Sequence, residues 1–302
     1  MNLLCERVNI PAICEPLPVW LRRHSLVKYL LRILPGSHDQ LIDFNVGAKA
    51  YADLRDPEVR NVFLKRSFEP DFFRIAETVL ACGGVYFDCG ANFGLCTFGL
   101  LQSIDHAVLR CHLFEANARL IPYLERTKTL YPSVQINVVE GCLSDRTGIT
   151  RFEVSPEYSG HSHVHPEGSL VSGNIVLDNY LEENQIEKIN FLKMDIEGQE
   201  LNALRGLSSA LNRLMVEVIY FEVVTDVLDR YGLAPGDVTG FLESNGFRVF
   251  YCREKDISEG CSTTVRFGRS KLNQLRLLEF KPPAGTLRTD LLAVHEALIA
   301  RS

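Results

Sequence analysis

From residue 83 onward the apolar positions come in short continuous runs rather than singly. Val85-Tyr86-Phe87-Asp88 is one such run ending in an acid, and Cys111-His112-Leu113-Phe114-Glu115 is a second. Residues 134–139, Phe191-Leu192-Lys193-Met194-Asp195, Val218-Ile219-Tyr220-Phe221-Glu222 and residues 247–251 continue the series. Helical stretches lie between them, over about 92–103 and about 118–130. The second carries Leu120, Tyr123, Leu124 and Leu130 on one stripe. Apolar strands separated by helices predict a parallel sheet covered on both faces. Such sheets hold ligands beyond the carboxyl ends of their strands, where Asp88, Glu115, Asp195 and Glu222 fall.

The flanks read differently. Residues 17–34 mix Arg22, Arg23, His24, Lys28 and Arg32 with Trp20, Leu21, Leu26, Leu30, Leu31 and Ile33, and predict a basic amphipathic helix closed by Pro35-Gly36. Two readings stand: a helix docked on the domain with solvated arginines, or contact with a membrane surface or an anionic substrate. Ser67-Phe68-Glu69-Pro70 predicts a capped helix start. Residues 144–176, rich in Ser, Gly and His, predict a strand pair with an exposed loop around 159–169. Residues 287–300 predict a short helix. The expected layout is a helical extension over 1–80, a main domain over 81–255 and a C-terminal extension over 256–302.

Composition narrows the function classes. The 302 residues are 46% apolar and 23% charged, which excludes a mostly disordered chain. With 32 basic and 38 acidic residues the net charge is −6, so no basic field draws the chain to nucleic acid. The nine cysteines are scattered without a CxxC pair, which argues against a zinc knuckle or a secreted disulfide scaffold. Reduced thiols and the lack of an ordered signal segment predict a cytoplasmic protein. Oligomeric state is not legible.

The strongest local signal is Asp88-Cys89-Gly90-Ala91-Asn92-Phe93-Gly94, between a strand and a helix. A P-loop would need Gly-Lys-Ser/Thr. A dinucleotide fingerprint would need glycines where Asn92 and Leu95 stand. An acid before the turn and glycines four apart suit a zwitterion, with the helix tip for its carboxylate and the acid for its ammonium. S-adenosylmethionine carries both groups. Glu115, one βα unit on, can accept both hydroxyls of its ribose.

These residues resemble the FkbM family of S-adenosylmethionine-dependent methyltransferases. The resemblance runs over about 68–250 and is carried by Phe68-Glu69-Pro70, the glycine turn, Phe114-Glu115-Ala116-Asn117, Leu143-Ser144-Asp145, Leu177-Asp178 and Phe191–Glu200. It implies an α/β fold with a Rossmann-like class I methyltransferase sheet, and O-methyl transfer to a sugar or natural product. Residue by residue, it implies that Asp88, Gly90, Asn92 and Gly94 line the methionine end of the cofactor. Glu115 would bind the ribose with Asn117 nearby, Ser144 and Asp145 would lie by the adenine, and Asp195 and Glu197 would face the acceptor. Ala116 stands where the family usually has Pro, and Gly160-His161-Ser162-His163-Val164-His165 where it usually has a Gly/Ser-rich stretch.

An alcohol acceptor must lose a proton, so a base is expected among Asp195, Glu197, His161, His163 and His165. The competing reading of Glu197 and Glu200 is that they favour a helix start. A carboxylate pair also suits Mg²⁺, and alternating histidines suit a metal, but no metal site is assigned. The acceptor is expected to be a small molecule or glycan. A catalytically silent fold that binds a nucleoside or a partner protein is the alternative.

Overall fold

A computed structural model describes residues 21, 24–33, 37–155, 158–252, 262–267, 273–281 and 285–299. In chain order these form α1 (Ser25–Ile33), β1 (Gln40–Phe44), β2 (Ala48–Ala52), α2 (Pro57–Lys65), α3 (Pro70–Val79), β3 (Gly84–Cys89) and α4 (Leu95–Leu100). Next come β4 (Leu109–Glu115), α5 (Ile121–Lys128), β5 (Gln135–Glu140), β6 (Cys142–Leu143), β7 (Ile149–Glu153), β8 (His163–Val164) and β9 (Leu170–Ile175). The chain continues through α6 (Leu177–Glu183), β10 (Ile189–Met194), α7 (Glu200–Arg205), α8 (Ser208–Asn212), β11 (Val216–Val224), α9 (Thr225–Leu228) and α10 (Pro235–Ser244). It closes with β12 (Phe247–Tyr251), β13 (Ser262–Arg266), β14 (Gln274–Glu279) and β15 (Arg288–His295).

The fold is α/β and Rossmann-like. Nine strands form one sheet in the order β13-β14-β12-β15-β11-β10-β3-β4-β5. β3, β4, β5, β10 and β11 are mutually parallel. Strand order therefore reverses between β3 and β10, which is where a doubly wound sheet opens its ligand crevice. One hydrophobic layer packs α1 to α5 and the β1–β2 hairpin onto one face. A second packs α6 to α8 and α10 onto the other.

Three expectations are corrected. Residues 287–300 hold β15, antiparallel to both β11 and β12, with only a 3₁₀ turn at Glu296–Leu298. Leu291 to Val294 are all buried, and an apolar run covered on both faces carries no period that separates strand from helix. Residues 1–80 are not wholly helical, because β1 and β2 pair through a tight turn at Asn45, Val46 and Gly47. The boundary at 255 does not follow the sheet, since β13, β14 and β15 extend it.

Within the expected helix over 17–34, the described part is α1, and the residues around it lie outside the described set. α1 docks through Leu31 and the partly buried Val27, while Leu26, Tyr29, Leu30 and Ile33 face outward. Among the described residues no helix is long and apolar enough to cross a membrane.

Phe72 on α3 joins the N-terminal helices to the sheet. Its ring packs edge-on to Phe73 and Tyr220, with centroids 5.1 and 5.3 Å away, and against Tyr86 and Phe191 of the central strands. Phe72→Ala should cost about 3–5 kcal/mol, the usual range for deleting a buried ring. The urea midpoint measures it, and a loss below about 1 kcal/mol would show that α3 is not held through this ring.

Candidate active site

A cavity of about 550 Å³ opens beyond the carboxyl ends of β3, β4, β10 and β11. That is the size of ordinary small-molecule sites. Its floor is the glycine turn, with Gly90, Ala91, Asn92 and Phe93, and Glu115 stands beside it. Asp195, Ile196, Glu197 and Gln199 form the β10 side, Tyr220 and Glu222 come from β11, and Arg288 to Asp290 from β15. Glu58, Phe68, Glu69 and Phe72 reach in from the N-terminal helices.

The remaining wall is the segment that interrupts the strand–helix alternation. It forms a separate four-stranded sheet, β6-β9-β7-β8. Cys142, Leu143, Phe152, Tyr158 to Gly160, Ser162 and Val164 present its pocket side. Asp56 fastens it to the N-terminal helices. One carboxylate oxygen caps α2 through the N–H groups of Glu58 and Val59, at 2.8 and 3.2 Å. The other accepts from the backbone N–H and hydroxyl of Ser159, both at 2.8 Å.

The turn is fixed by its neighbours. The N–H groups of Gly90 and Ala91 donate to the Phe114 carbonyl, and the Asp195 N–H donates to the Cys89 carbonyl. Gly90 has φ +79, and a Cβ there would lie 1.9 Å from the Asp195 carbonyl oxygen, so no side chain fits. Glu115 is 7% exposed and uses each oxygen once, accepting from the Asn92 N–H at 2.7 Å and the Asn117 N–H at 2.8 Å. Burial raises its pKa against those two bonds.

Asp88 does not reach the cavity. It is fully buried beneath the turn, where one oxygen accepts from the Thr97 hydroxyl at 2.7 Å. The other faces Lys193 Nζ at 3.4 Å. Lys193 lies directly opposite Asp88 in the β3–β10 register, donates to the Gly90 carbonyl at 2.8 Å and sits 3.6 Å from Asp195. Burial opposes its charge, yet Asp88 and Asp195 hold its pKa well above the ordinary lysine value. The cation that the sequence assigns to a ligand is thus supplied to Asp88 by the fold, and Lys193 lines the cavity in its place.

The other sequence candidates divide. Gly90, Asn92, Glu115, Asp195 and Glu197 are brought together on the cavity wall. Gly94 sits behind it as the left-handed residue that opens α4, a helix of six residues rather than the twelve expected. Asn117 is buried, its side chain accepting from the Arg119 N–H. Ser144 and Asp145 lie just past the lining residues Cys142 and Leu143, and Asp145 pairs loosely with Arg146.

His163 and His165 are corrected. His163 and His165 do share one side of their segment, but Ser162 and Val164, on the opposite side, line the cavity. His163 instead pairs with Glu153 in the β7–β8 ladder, and the side chain of His161 lies outside the described residues. Among the described residues no group of three or more His, Cys, Asp and Glu is arranged to hold a metal.

Four lining residues were not among the expected site residues: Glu58, Glu69, Tyr158 and Tyr220. The Tyr158 hydroxyl bonds Glu58. Glu69 precedes α3 with φ +33 and makes no capping bond, so the expected cap at Ser67–Glu69 is absent. Three non-glycine residues of the lining, Glu69, Asn92 and Glu197, hold positive φ. Such strain persists where surrounding structure enforces it, and it gathers at functional sites. Around Glu197 (φ +54) the enforcer is Glu200, whose buried carboxylate accepts from the Ile196 and Gly198 N–H groups.

The chain is similar to known proteins. Residues 88–249 match the family model of the methyltransferase FkbM domain. The chain belongs to the FkbM methyltransferase family. As a member, it is an S-adenosylmethionine-dependent methyltransferase. It is 29% identical over 175 residues to the hexuronic acid methyltransferase AglP of Haloferax volcanii, covering 58% of this chain and 67% of that protein. It is 26% identical over 202 residues to the 31-O-demethyl-FK506 methyltransferase FkbM of Streptomyces tacrolimicus, covering 55% and 74%. The crystal structure of methyltransferase FkbM from Methylobacillus flagellatus KT aligns at a TM-score of 0.38 with 18% identity, over 55% of this chain and 39% of that one. Within the family frame, Asp88 and Lys193 are the buried pair beneath the site.

Lys193→Met should therefore destabilise the fold by about 3–5 kcal/mol, because it leaves the Asp88 charge buried without a partner. Adding Asp88→Asn should restore much of the loss. Urea midpoints of the two variants measure both effects, and a neutral Lys193→Met would contradict the assignment.

The acids of the far wall give a second expectation. Burial, with Asp195 and Glu222 close by, raises Glu197 to about 8. Burial, with Asp195 and Asp290, raises Glu222 to about 8. Folded chains thus keep protons that unfolded chains release above the ordinary carboxylate range, so this contribution to stability is full in acid and is lost as pH rises through about 8. Glu222→Gln should flatten the decline. Thermal melts of both proteins from pH 5 to 9 test it, and parallel curves would refute it.

Proposed function

We propose that this protein transfers a methyl group from S-adenosylmethionine to a hydroxyl of a carbohydrate or small natural product. The observation that supports the reading is one cavity with two unlike ends. A glycine turn and a strand-end glutamate lie on one side, and a cluster of carboxylates on the other. The hexuronic acid and FK506 methyltransferases to which the chain is similar support an acceptor of this class.

The turn side fits the cofactor. Glu115 spends one lone pair per oxygen on backbone N–H groups and keeps the others for two ribose hydroxyls. The Asn92 side-chain oxygen is buried on the turn with no partner among the described residues, which marks a polar group awaiting a donor. Lys193 and Asp195 stand together at the mouth of the turn and offer both signs of charge to a zwitterion. When bound, S-adenosylmethionine supplies an electrophilic methyl group on its sulfonium.

The chain's own residues then position the acceptor and remove its proton. Positioning supplies much of the acceleration in such displacements. Glu197 is the base in this reading. Its carboxylate faces the cavity on a strained backbone, and its raised pKa makes it a stronger proton acceptor once it is ionised, above about 8. Asp195 holds the Lys193 end and faces the same space.

Calorimetric titration with S-adenosylmethionine tests the binding half. Wild type should bind, and Glu115→Ala should weaken binding at least about tenfold, since it removes a charge-assisted partner of the ribose. No binding by wild type would instead favour the silent-fold alternative. The catalytic half has a pH signature. Methyl transfer should rise with pH through about 8 as Glu197 loses its proton. Glu197→Gln should remove that rise and lower kcat about 10²–10⁴-fold. A profile unchanged in the variant would move the base elsewhere.

A further inference from the structure

The far end of the cavity gathers acids, which ionise against one another's charge. Glu58 from α2, Glu69 before α3, Glu197 after β10, Glu222 on β11 and Asp290 on β15 converge on the space around Asp195. The cations of the lining are Lys193 and Arg288. Lys193 is engaged by Asp88 and Asp195. The Arg288 side chain is 70% exposed and pairs with Glu222 at 3.5 Å. Crowding of like charges is costly in a half-buried site, and burial with neighbouring acids drives Glu58 to about 7. A cation entering the cavity relieves that cost, whereas a second anion adds to it.

A second observation points the same way. Tyr220 is 5% exposed, lines the cavity, and its hydroxyl has no hydrogen-bond partner among the described residues. Buried hydroxyls are rarely left unsatisfied, so this oxygen is positioned for a donor on a ligand. Acids and a phenol oxygen together make an acceptor-rich surface. Such a surface matches a protonated amine, which donates three hydrogen bonds and accepts none.

Resting on the methyl-transfer reading above, we propose that the acceptor hydroxyl belongs to a molecule that carries a protonated amine, an amino sugar or a comparable hydroxy-amine. Acceptors that carry a carboxylate are excluded by the same wall. The selectivity then differs from that named for the hexuronic acid methyltransferase to which this chain is similar.

The test uses the full chain saturated with S-adenosylhomocysteine, titrated calorimetrically with the methyl glycosides of glucosamine, glucose and glucuronic acid. Glucosamine should bind at least about tenfold more tightly than glucose, the increment expected of a charge-assisted bond, and glucuronic acid should not bind measurably. Glu58→Gln and Glu222→Gln should each narrow the gap between glucosamine and glucose. Equal binding of the three glycosides, a preference for glucuronic acid, or binding of none of them would overturn the inference. The first stage of the titration reports the underlying reading separately. Binding of S-adenosylhomocysteine without amine selectivity rejects the amine subsite alone, while failure to bind it rejects the methyl-transfer reading and the inference with it.

Discussion

The site depends on one buried lysine. Lys193 projects from the middle of a nine-stranded sheet, where a lone ammonium would be prohibitively costly. Three oxygens make it tolerable: one from Asp88, one from the Gly90 carbonyl and one from Asp195. Each belongs to a different functional segment, namely the end of β3, the glycine turn and the loop after β10. Holding all three with one charge fixes the distance between the two halves of the cavity. The Asp195 N–H to Cys89 carbonyl bond and the Gly90 contact, too close for any side chain, tighten the same junction.

This arrangement explains what the sequence shows and what it hides. The sheet, the turn and the strand-end acids are legible because each rests on a local pattern: an apolar run, a glycine spacing, an acid after a run. Asp88 is where local reading stops. An acid before a glycine turn looks like a ligand group. Whether it faces a ligand or a lysine depends on register with a strand more than a hundred residues away, where Lys193 stands opposite. His163 and His165 fail for a related reason. Period two places them on one side of an extended segment but does not say which side meets the cavity, and Ser162 and Val164 take it. β15 escapes because doubly covered strands lose the alternation that would identify them.

The acids contributed by the N-terminal helices were hidden more deeply. Glu58 reads as an ordinary first-turn residue of α2, where an acid favours the helix dipole. Glu69 reads as part of a cap. The packing of α2 and α3 onto the sheet brings both into the cavity lining. Their presence changes the chemistry of the site, because they add carboxylates opposite the glycine turn and Glu115. The far wall draws its acids from both ends of the chain.

Strain and charge tell the same story from two directions. The backbone twists into the left-handed region at Glu69, Asn92 and Glu197, although none of them is glycine. Glu69 and Glu197 both enter the acid wall. A fold selected for stability alone would relax these turns with glycine and scatter the acids. Keeping both features requires compensating bonds nearby, and they are present: Glu200 ties the loop around Glu197, and Asp56 clamps α2 to the wall carrying Tyr158. Destabilising features that are separately braced, and that point into one cavity, are most economically explained as the features that the ligand uses.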